Sequence, residues 1–155
     1  MDPHSNPVHQ NSTAPKGQSV EVAAGLIFRG TRLLIAQRRP NAHLGGLWEF
    51  PGGKREAEET FEAALIRELR EELGVSVSVG ELIETVDHAY PDKVVRICFF
   101  LCRLEEGEPQ ALDCHNIKWI DRTELSRQAF PAADAHLLKR LCAEDRFWSD
   151  GSAAA

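Results

Sequence analysis

Between Thr60 and Gly74 the chain carries an amphipathic pattern that commits it to one helix with one buried side. Phe61, Leu65, Leu69 and Leu73 recur every fourth residue, with Ala64 and Ile66 beside them, so a single apolar stripe must pack inward. Thr60 is placed to cap the start, Glu62 complements the positive N-terminal end, and Gly74 follows where a left-handed C-terminal cap sits. Such a helix needs a partner surface, and the rest of the chain supplies strands. Residues 20–28 and 33–37 are strand-like runs around Arg29-Gly30-Thr31, a turn with glycine where positive φ is needed. Residues 82–89 and 94–103 predict a second hairpin around Pro91-Asp92, and 117–120 a further short strand. Residues 132–142 close the domain as a helix with Leu137, Leu138 and Leu141 on its apolar side. Hairpins, short strands and two helices without repeated βαβ units predict an α+β domain, a mixed β-sheet sandwiched between helices.

Length and charge then exclude whole classes of function. At 155 residues the sequence suits one domain with one sizeable core and leaves no room for a second catalytic domain. A formal charge of −6 argues against holding nucleic acid by bulk electrostatics, which needs a basic face. A small polyanion bridged by metal is still compatible with it. Cys98, Cys102, Cys114 and Cys142 form no CxxC pair and sit in or near apolar runs, which reads as buried free thiols in a reducing cytoplasm. Cys98 and Cys102 face one side of a strand, but further zinc ligands are not evident. Residues 1–19 have no apolar leader core, and no run is long enough to span a bilayer, so a cytoplasmic protein without a membrane partner is expected. The expected folded domain covers residues 20–147, with 1–19 and 148–155 as tails. His4 and His9 belong to the first tail and read as solvated side chains.

On the predicted helix, Glu68, Glu71 and Glu72 stand at spacings of three and four, which places their carboxylates within one narrow arc. Taken alone, the trio is equally an exposed acidic face, because such repulsion costs only about a few tenths of a kcal/mol per pair on a solvated surface. The surrounding pattern changes that reading. Gly53, five residues, Glu59, seven residues, Arg67-Glu68-Leu69, one residue, Glu71-Glu72, one residue, Gly74-Val75 resembles the complete Nudix box. The resemblance extends from the hairpin at Val20 to the helix ending near Leu141, and implies the Nudix fold, an α/β/α sandwich.

It also implies a chemistry. A triphosphate repels an attacking hydroxide until hard cations neutralise its oxygens, and clustered carboxylates hold such cations through oxygen. The family resemblance implies Mg²⁺, with Mn²⁺ able to substitute, held by Glu68, Glu71, Glu72 and the backbone carbonyl of Gly52. Glu59 would support Arg67 or bind metal through water, Arg67 would orient the carboxylates, and Glu68 would activate the attacking water. Asp113, six residues before Trp119, stands where related enzymes place a further acid near the metals, with His115 nearby. In the segment Leu-Trp-Glu-Phe-Pro-Gly-Gly-Lys at 47–54, Gly52 and Gly53 allow close backbone approach, or simply a tight turn.

Within the family the sequence looks most like the MutT-type branch that cleanses oxidised nucleotides. Arg38, His43, Glu49 and Phe50 fall where that branch has its Arg, His, Glu and Phe. Tyr90-Pro91-Asp92 with Cys98-Phe99-Phe100 resembles its central hairpin, and Phe130-Pro131-Ala132-Ala133-Asp134 resembles the loop whose last residue reads the purine edge. Asp134 departs from the bacterial prototype, which has asparagine there. An ionised Asp only accepts hydrogen bonds, so a guanine-type edge or the amino group of cytosine would suit it. Asp134 could instead complement a helix N-terminus, Arg38 could be a surface charge, and Phe50 and Phe99 could be core aromatics. The resemblance implies hydrolysis of 8-oxo-dGTP or dGTP to the monophosphate and pyrophosphate. The rival substrates are CTP, dCTP or 5-substituted dCTP, whose hydrolases share Leu-Trp-Glu-Phe and an Ala-Asp pair near the C-terminus. A nucleotide-sugar or dinucleotide hydrolase, or a non-catalytic module that binds oxidised bases, stands further off. The expected partner is a small nucleotide bound by a monomer or weak dimer, without nucleic acid.

Overall fold

The computed structural model describes residues 18–149. Seven strands form one sheet: β1 (Gln18–Arg29), β2 (Arg32–Gln37), β3 (Trp48–Glu49), β4 (Gly52–Lys54), β5 (Ser76–Ala89), β6 (Lys93–Glu106) and β7 (Asn116–Ile120). Its spine runs β3-β2-β1-β6-β5, with β4 added to β1 and β7 added to β2. β1 and β6 are parallel from Gln18↔Lys93 to Ile27↔Cys102, whereas the other pairings are antiparallel, so the sheet is mixed. The helices are α1 (Phe61–Leu73), α2 (Arg122–Leu125) and α3 (Ala135–Ala143). Short 3-10 turns occupy Ala132–Asp134 and Asp145–Phe147.

Alternation along the central strands sends side chains into two cores. On one face, Ala23, Cys98, Phe100 and Cys102 pack beneath Ala64, Leu65, Leu69 and Leu73 of α1. On the other, Leu26, Phe28, Phe99 and Phe50 pack beneath Leu125, Leu137, Leu141 and Phe147. This is the α/β/α sandwich expected from the sequence. α1 matches its pattern closely: Thr60 Oγ1 accepts from Ala63 N at 3.0 Å, and Gly74 caps the other end at φ 70°. The first hairpin turns through Gly30 at φ 57°, with Arg29 and Arg32 paired across it.

Several boundaries differ from expectation. β1 already includes Gln18 and Ser19, which the sequence had placed before the domain, and residues 1–17, with His4 and His9, lie outside the described part. Trp148, placed in the C-terminal tail, is buried: its ring meets Phe28 edge-on at 5.2 Å and its indole N–H donates to Leu141 O at 2.7 Å. An indole that buries its ring and satisfies its N–H belongs to the core. β5 begins six residues before Leu82, because irregularities around Gly80 and Leu82 let one strand continue through a glycine. Residues 132–134 form a 3-10 turn that leads into α3 instead of its first helical turn. Cys142 is exposed, contrary to the expectation for all four thiols, because at about 100° per residue it is turned away from the buried Leu137 and Leu141. Among the described residues no helix is long and apolar enough to cross a membrane.

Candidate active site

α1 turns its polar side toward the end of the sheet where β4 joins β1. Arg67 is the hub of that side. Its guanidinium donates to Glu59 at 2.6 and 3.1 Å, to Glu68 at 2.8 Å, to Glu71 at 3.5 Å and to the Lys54 carbonyl at 3.1 Å. Glu59 precedes the helix and also accepts from Glu56 N, and the hydrogen bond from Arg67 pulls its pKa down to about 2. The expected support of Arg67 by Glu59 is thus present as geometry.

Glycines let the strand end meet the helix. Gly52 and Gly53 pair with Ala24 and Ala23 as part of β4, so they are strand residues and not merely a tight turn. A Cβ on Gly53 would collide with the Glu68 carboxylate, and one on Gly52 with the Ala23 carbonyl. Gly52 therefore excludes a side chain, because backbone stands in its way, whereas a side chain at Gly53 would displace the Glu68 carboxylate. Gly52 N–H points to Glu72 Oε2 at 3.4 Å. Glu72 is buried, and its pKa is pushed up to about 8, first by burial and then by the negative charge of Glu49, with Glu68 and Asp113 adding and the Gly52 N–H opposing. Glu71 is exposed.

Asp113 is tied to the same helix by backbone: Glu72 O accepts from Leu112 N at 3.0 Å and Asp113 N at 3.2 Å. Its carboxylate, however, turns to Arg39 at 3.3 Å. Among the described residues, no three His, Cys, Asp or Glu side chains converge into a set that could hold a metal ion. The reason is visible in the partners. Arg67 engages Glu68 and Glu71, Arg39 engages Asp113, and Glu72 lies against Gly52. The sequence-predicted ligands share one helix arc and one adjoining loop without closing on a common point.

The expected base-binding residues do come together. Arg38, His43, Phe50 and Asp134 line one cavity of about 180 Å³, walled by Val22 and Ala24 of β1 and Ile97 and Phe99 of β6. Phe50 meets Phe99 edge-on at 5.9 Å and stacks on Phe130 at 5.1 Å, so both aromatics serve core and cavity at once. Arg38 is no free surface charge: Nε donates to His43 O at 2.6 Å and Nη1 to Glu49 at 2.7 Å. His43 in turn packs edge-on against Tyr90 at 5.5 Å.

Asp134 is 5% exposed and lines the cavity. It makes no side-chain capping bond to α3, and its carboxylate has no hydrogen-bond or ion-pair partner among the described residues. Burial, with the Glu49 charge behind it, raises its pKa to about 7. Glu49 itself is shifted up by burial against the opposing pull of Arg38. Its charge is felt by both Asp134 and Glu72, which makes it the link between the cavity and α1.

Among the polar lining of the cavity, Lys54, Tyr90 and Lys93 escaped assignment from sequence. Lys54 and Lys93 bring positive charge to the lining, and Tyr90 adds a ring close to Lys93. Lys54 follows directly on the glycine pair, a local signal. Lys93 has none, since only the parallel pairing of β1 with β6 brings it to the cavity.

Comparison with known proteins places this arrangement. The NUDIX domain family matches residues 23–140. An 8-oxo-dGTP diphosphatase of Escherichia coli K12 is 32% identical over 125 residues, covering 80% of this chain and 97% of that protein. A CTP pyrophosphohydrolase of the same organism is 34% identical over 124 residues, covering 80% and 92%. The solved MutT of the Nudix hydrolase family from methicillin-resistant Staphylococcus aureus 252 superposes with a TM-score of 0.69 at 33% identity, covering 82% of this chain and 98% of that one. With the glycine-cradled carboxylate helix and the sandwich that carries it, these likenesses make the chain a member of the NUDIX domain family.

Proposed function

We propose that this chain is a divalent-cation-dependent hydrolase that splits nucleoside triphosphates into monophosphate and pyrophosphate, with 8-oxo-dGTP or dGTP as its leading substrate. The observation that carries the proposal is an aromatic cavity that holds an unpartnered carboxyl, Asp134, and is lined also by Lys54, whose carbonyl accepts from Arg67 of α1 at 3.1 Å. A base held in the cavity would direct its phosphates past Lys54 toward α1.

The donor chemistry fits a hard cation. Every side-chain donor in the set is a carboxylate oxygen, and Glu72 is driven toward protonation first by burial and then by the negative charges of Glu49, Glu68 and Asp113. That is the strain a divalent cation relieves. Glu68, Glu71, Glu72, Asp113 and the Gly52 carbonyl would hold it, and Mg²⁺ is the cation we favour, with Mn²⁺ as substitute. When bound, it neutralises phosphate oxygens and acidifies the attacking water. Glu68 would accept the proton of that water as the bond between the α- and β-phosphates breaks and pyrophosphate leaves. Arg67, anchored by Glu59, would set the direction of Glu68 and Glu71. Arg38, His43 and Phe50 would hold the nucleoside, and Asp134 would read the base edge.

A cytosine nucleotide is the second reading. It is favoured by Asp134 itself, whose ionised carboxylate accepts from an exocyclic amino group, and by the likeness to a CTP pyrophosphohydrolase. Pyrophosphate release from 8-oxo-dGTP, dGTP, CTP, dCTP and ADP-ribose, at low substrate with Mg²⁺, separates the two. Selective turnover of 8-oxo-dGTP is the expected result. Preference for CTP or dCTP moves the substrate to the pyrimidine class, and no turnover of any triphosphate defeats the hydrolase reading.

A further inference from the structure

Asp134 ends a 3-10 turn that follows Pro131 and carries no side-chain cap, so its own element does little to fix its direction. A group that reads a base edge must be held to within a fraction of an ångström, and the hold has to come from neighbours. Two residues further on, His136 Nδ1 lies 2.6 Å from Glu84 Oε1. Glu84 belongs to β5, directly opposite Phe99 of β6, a wall of the base cavity. Directly opposed residues in a sheet share a face, so Glu84 projects toward the α3 layer. Its side chain is only 10% exposed, its Oε1 lies 3.6 Å from Arg140 Nη1, and its Oε2 is buried without a hydrogen bond.

A nearly buried carboxylate with one oxygen unsatisfied is a costly feature for a sheet face otherwise packed with Ile83, Val86 and Ile97. Its two neighbours explain where it is directed. His136 and Arg140 are four apart on α3 and so lie on one side of that helix. Arg140 also donates to Ile83 O at 2.6 Å and to Glu144 at 3.0 Å, so the helix is fastened to β5 at two adjacent residues.

We infer that Glu84 is a positioning residue for base recognition: through His136 and Arg140 it seats the start of α3 against β5 and thereby aims Asp134 into the cavity. The inference rests on the nucleotide-hydrolase reading. Its own content is that side chains on the far side of the turn, outside the cavity, set selectivity between bases.

The test compares kcat and KM for a guanine and a cytosine triphosphate in the full chain and its variants Glu84→Ala, Glu84→Gln and His136→Ala, alone and combined with Asp134→Ala. The wild type is measured first, and absence of triphosphate turnover or of any base preference there defeats the functional reading itself. Given a preference, Glu84→Ala and His136→Ala are expected to lower the ratio of kcat/KM values between the two bases by about fivefold or more, through KM. Glu84→Gln, whose amide carbonyl still faces His136, is expected to keep the ratio within about twofold. In the Asp134→Ala background neither change should lower the ratio further, because the residue they aim is gone. His136 is 75% exposed, so its replacement tests the idea even if Glu84→Ala does not fold. A lowered melting temperature with an unchanged ratio would make the cluster structural only. An undiminished effect in the Asp134→Ala background would show that it acts elsewhere. Either result overturns the inference.

Discussion

A carboxylic acid that keeps its proton near neutral pH can both donate and accept, as an amide does, and Asp134 is placed to be one. Its pKa stands at about 7 against an ordinary 3.8, so the folded protein holds a proton there that the unfolded chain has released. Between these values stability falls as pH rises, and above about 7 the full penalty is present. Replacing Asp134 with Asn removes the titration. Its unfolding free energy is expected to gain on that of the wild type from pH 5 toward about pH 8, by on the order of 1–3 kcal/mol, with the melting temperature rising accordingly. Base preference should also change across about pH 7 in the wild type and stay flat in Asp134→Asn. Parallel melting and selectivity profiles for the two proteins would refute the protonation argument. The carboxylates of α1 were legible in the sequence because their spacing lies within one helix. The repulsion that Glu49 exerts on both Asp134 and Glu72 was not, since burial and long-range packing create it.

At the scale of elements, α1 holds its glutamates in place by an apolar stripe and two caps. Thr60→Ala is expected to cost about 1 kcal/mol, read as a shift in denaturation midpoint without a change of slope. A change below about 0.3 kcal/mol would mean that tertiary packing alone fixes the helix start. Cap, stripe and glycine all pointed to the same helix, which is why its bounds were readable. β3 and β4 were hidden by their two and three residues, too few for any alternation to register. The four residues of α2 are short of a helical period that could be recognised. The early part of β5 was masked by Gly80, which reads as a break but sits where the ladder with β6 shifts register. Chain topology, and not local pattern, delivers Lys93 to the cavity.

Taken whole, the molecule closes its second core with the last residue expected in the domain, Phe147, and the first one expected in the tail, Trp148. Phe147 stacks at 6.2 Å on Phe28, and Trp148 covers the same ring edge-on. Trp148→Ala is expected to destabilise the fold by about 3–5 kcal/mol, lowering the melting temperature on the order of 10 °C, since it empties a packed site and leaves the Leu141 carbonyl unpaired. A loss under about 1 kcal/mol would return Trp148 to the tail. The alternation of hydrophobic residues foretold that there would be two faces, but not where the chain ends its contribution to them.

The parallel ladder of β1 with β6 joins Gln18 to Lys93 and Ile27 to Cys102, so the sheet is completed only when two distant stretches of chain meet. Everything between them, including α1 with its glutamates, lies inside the loop that this meeting closes. During synthesis the residues of α1 are made before β6, which supplies both the second wall of the base cavity and part of the surface on which α1 packs. A partly made chain therefore carries the acidic segment without the means to choose a base.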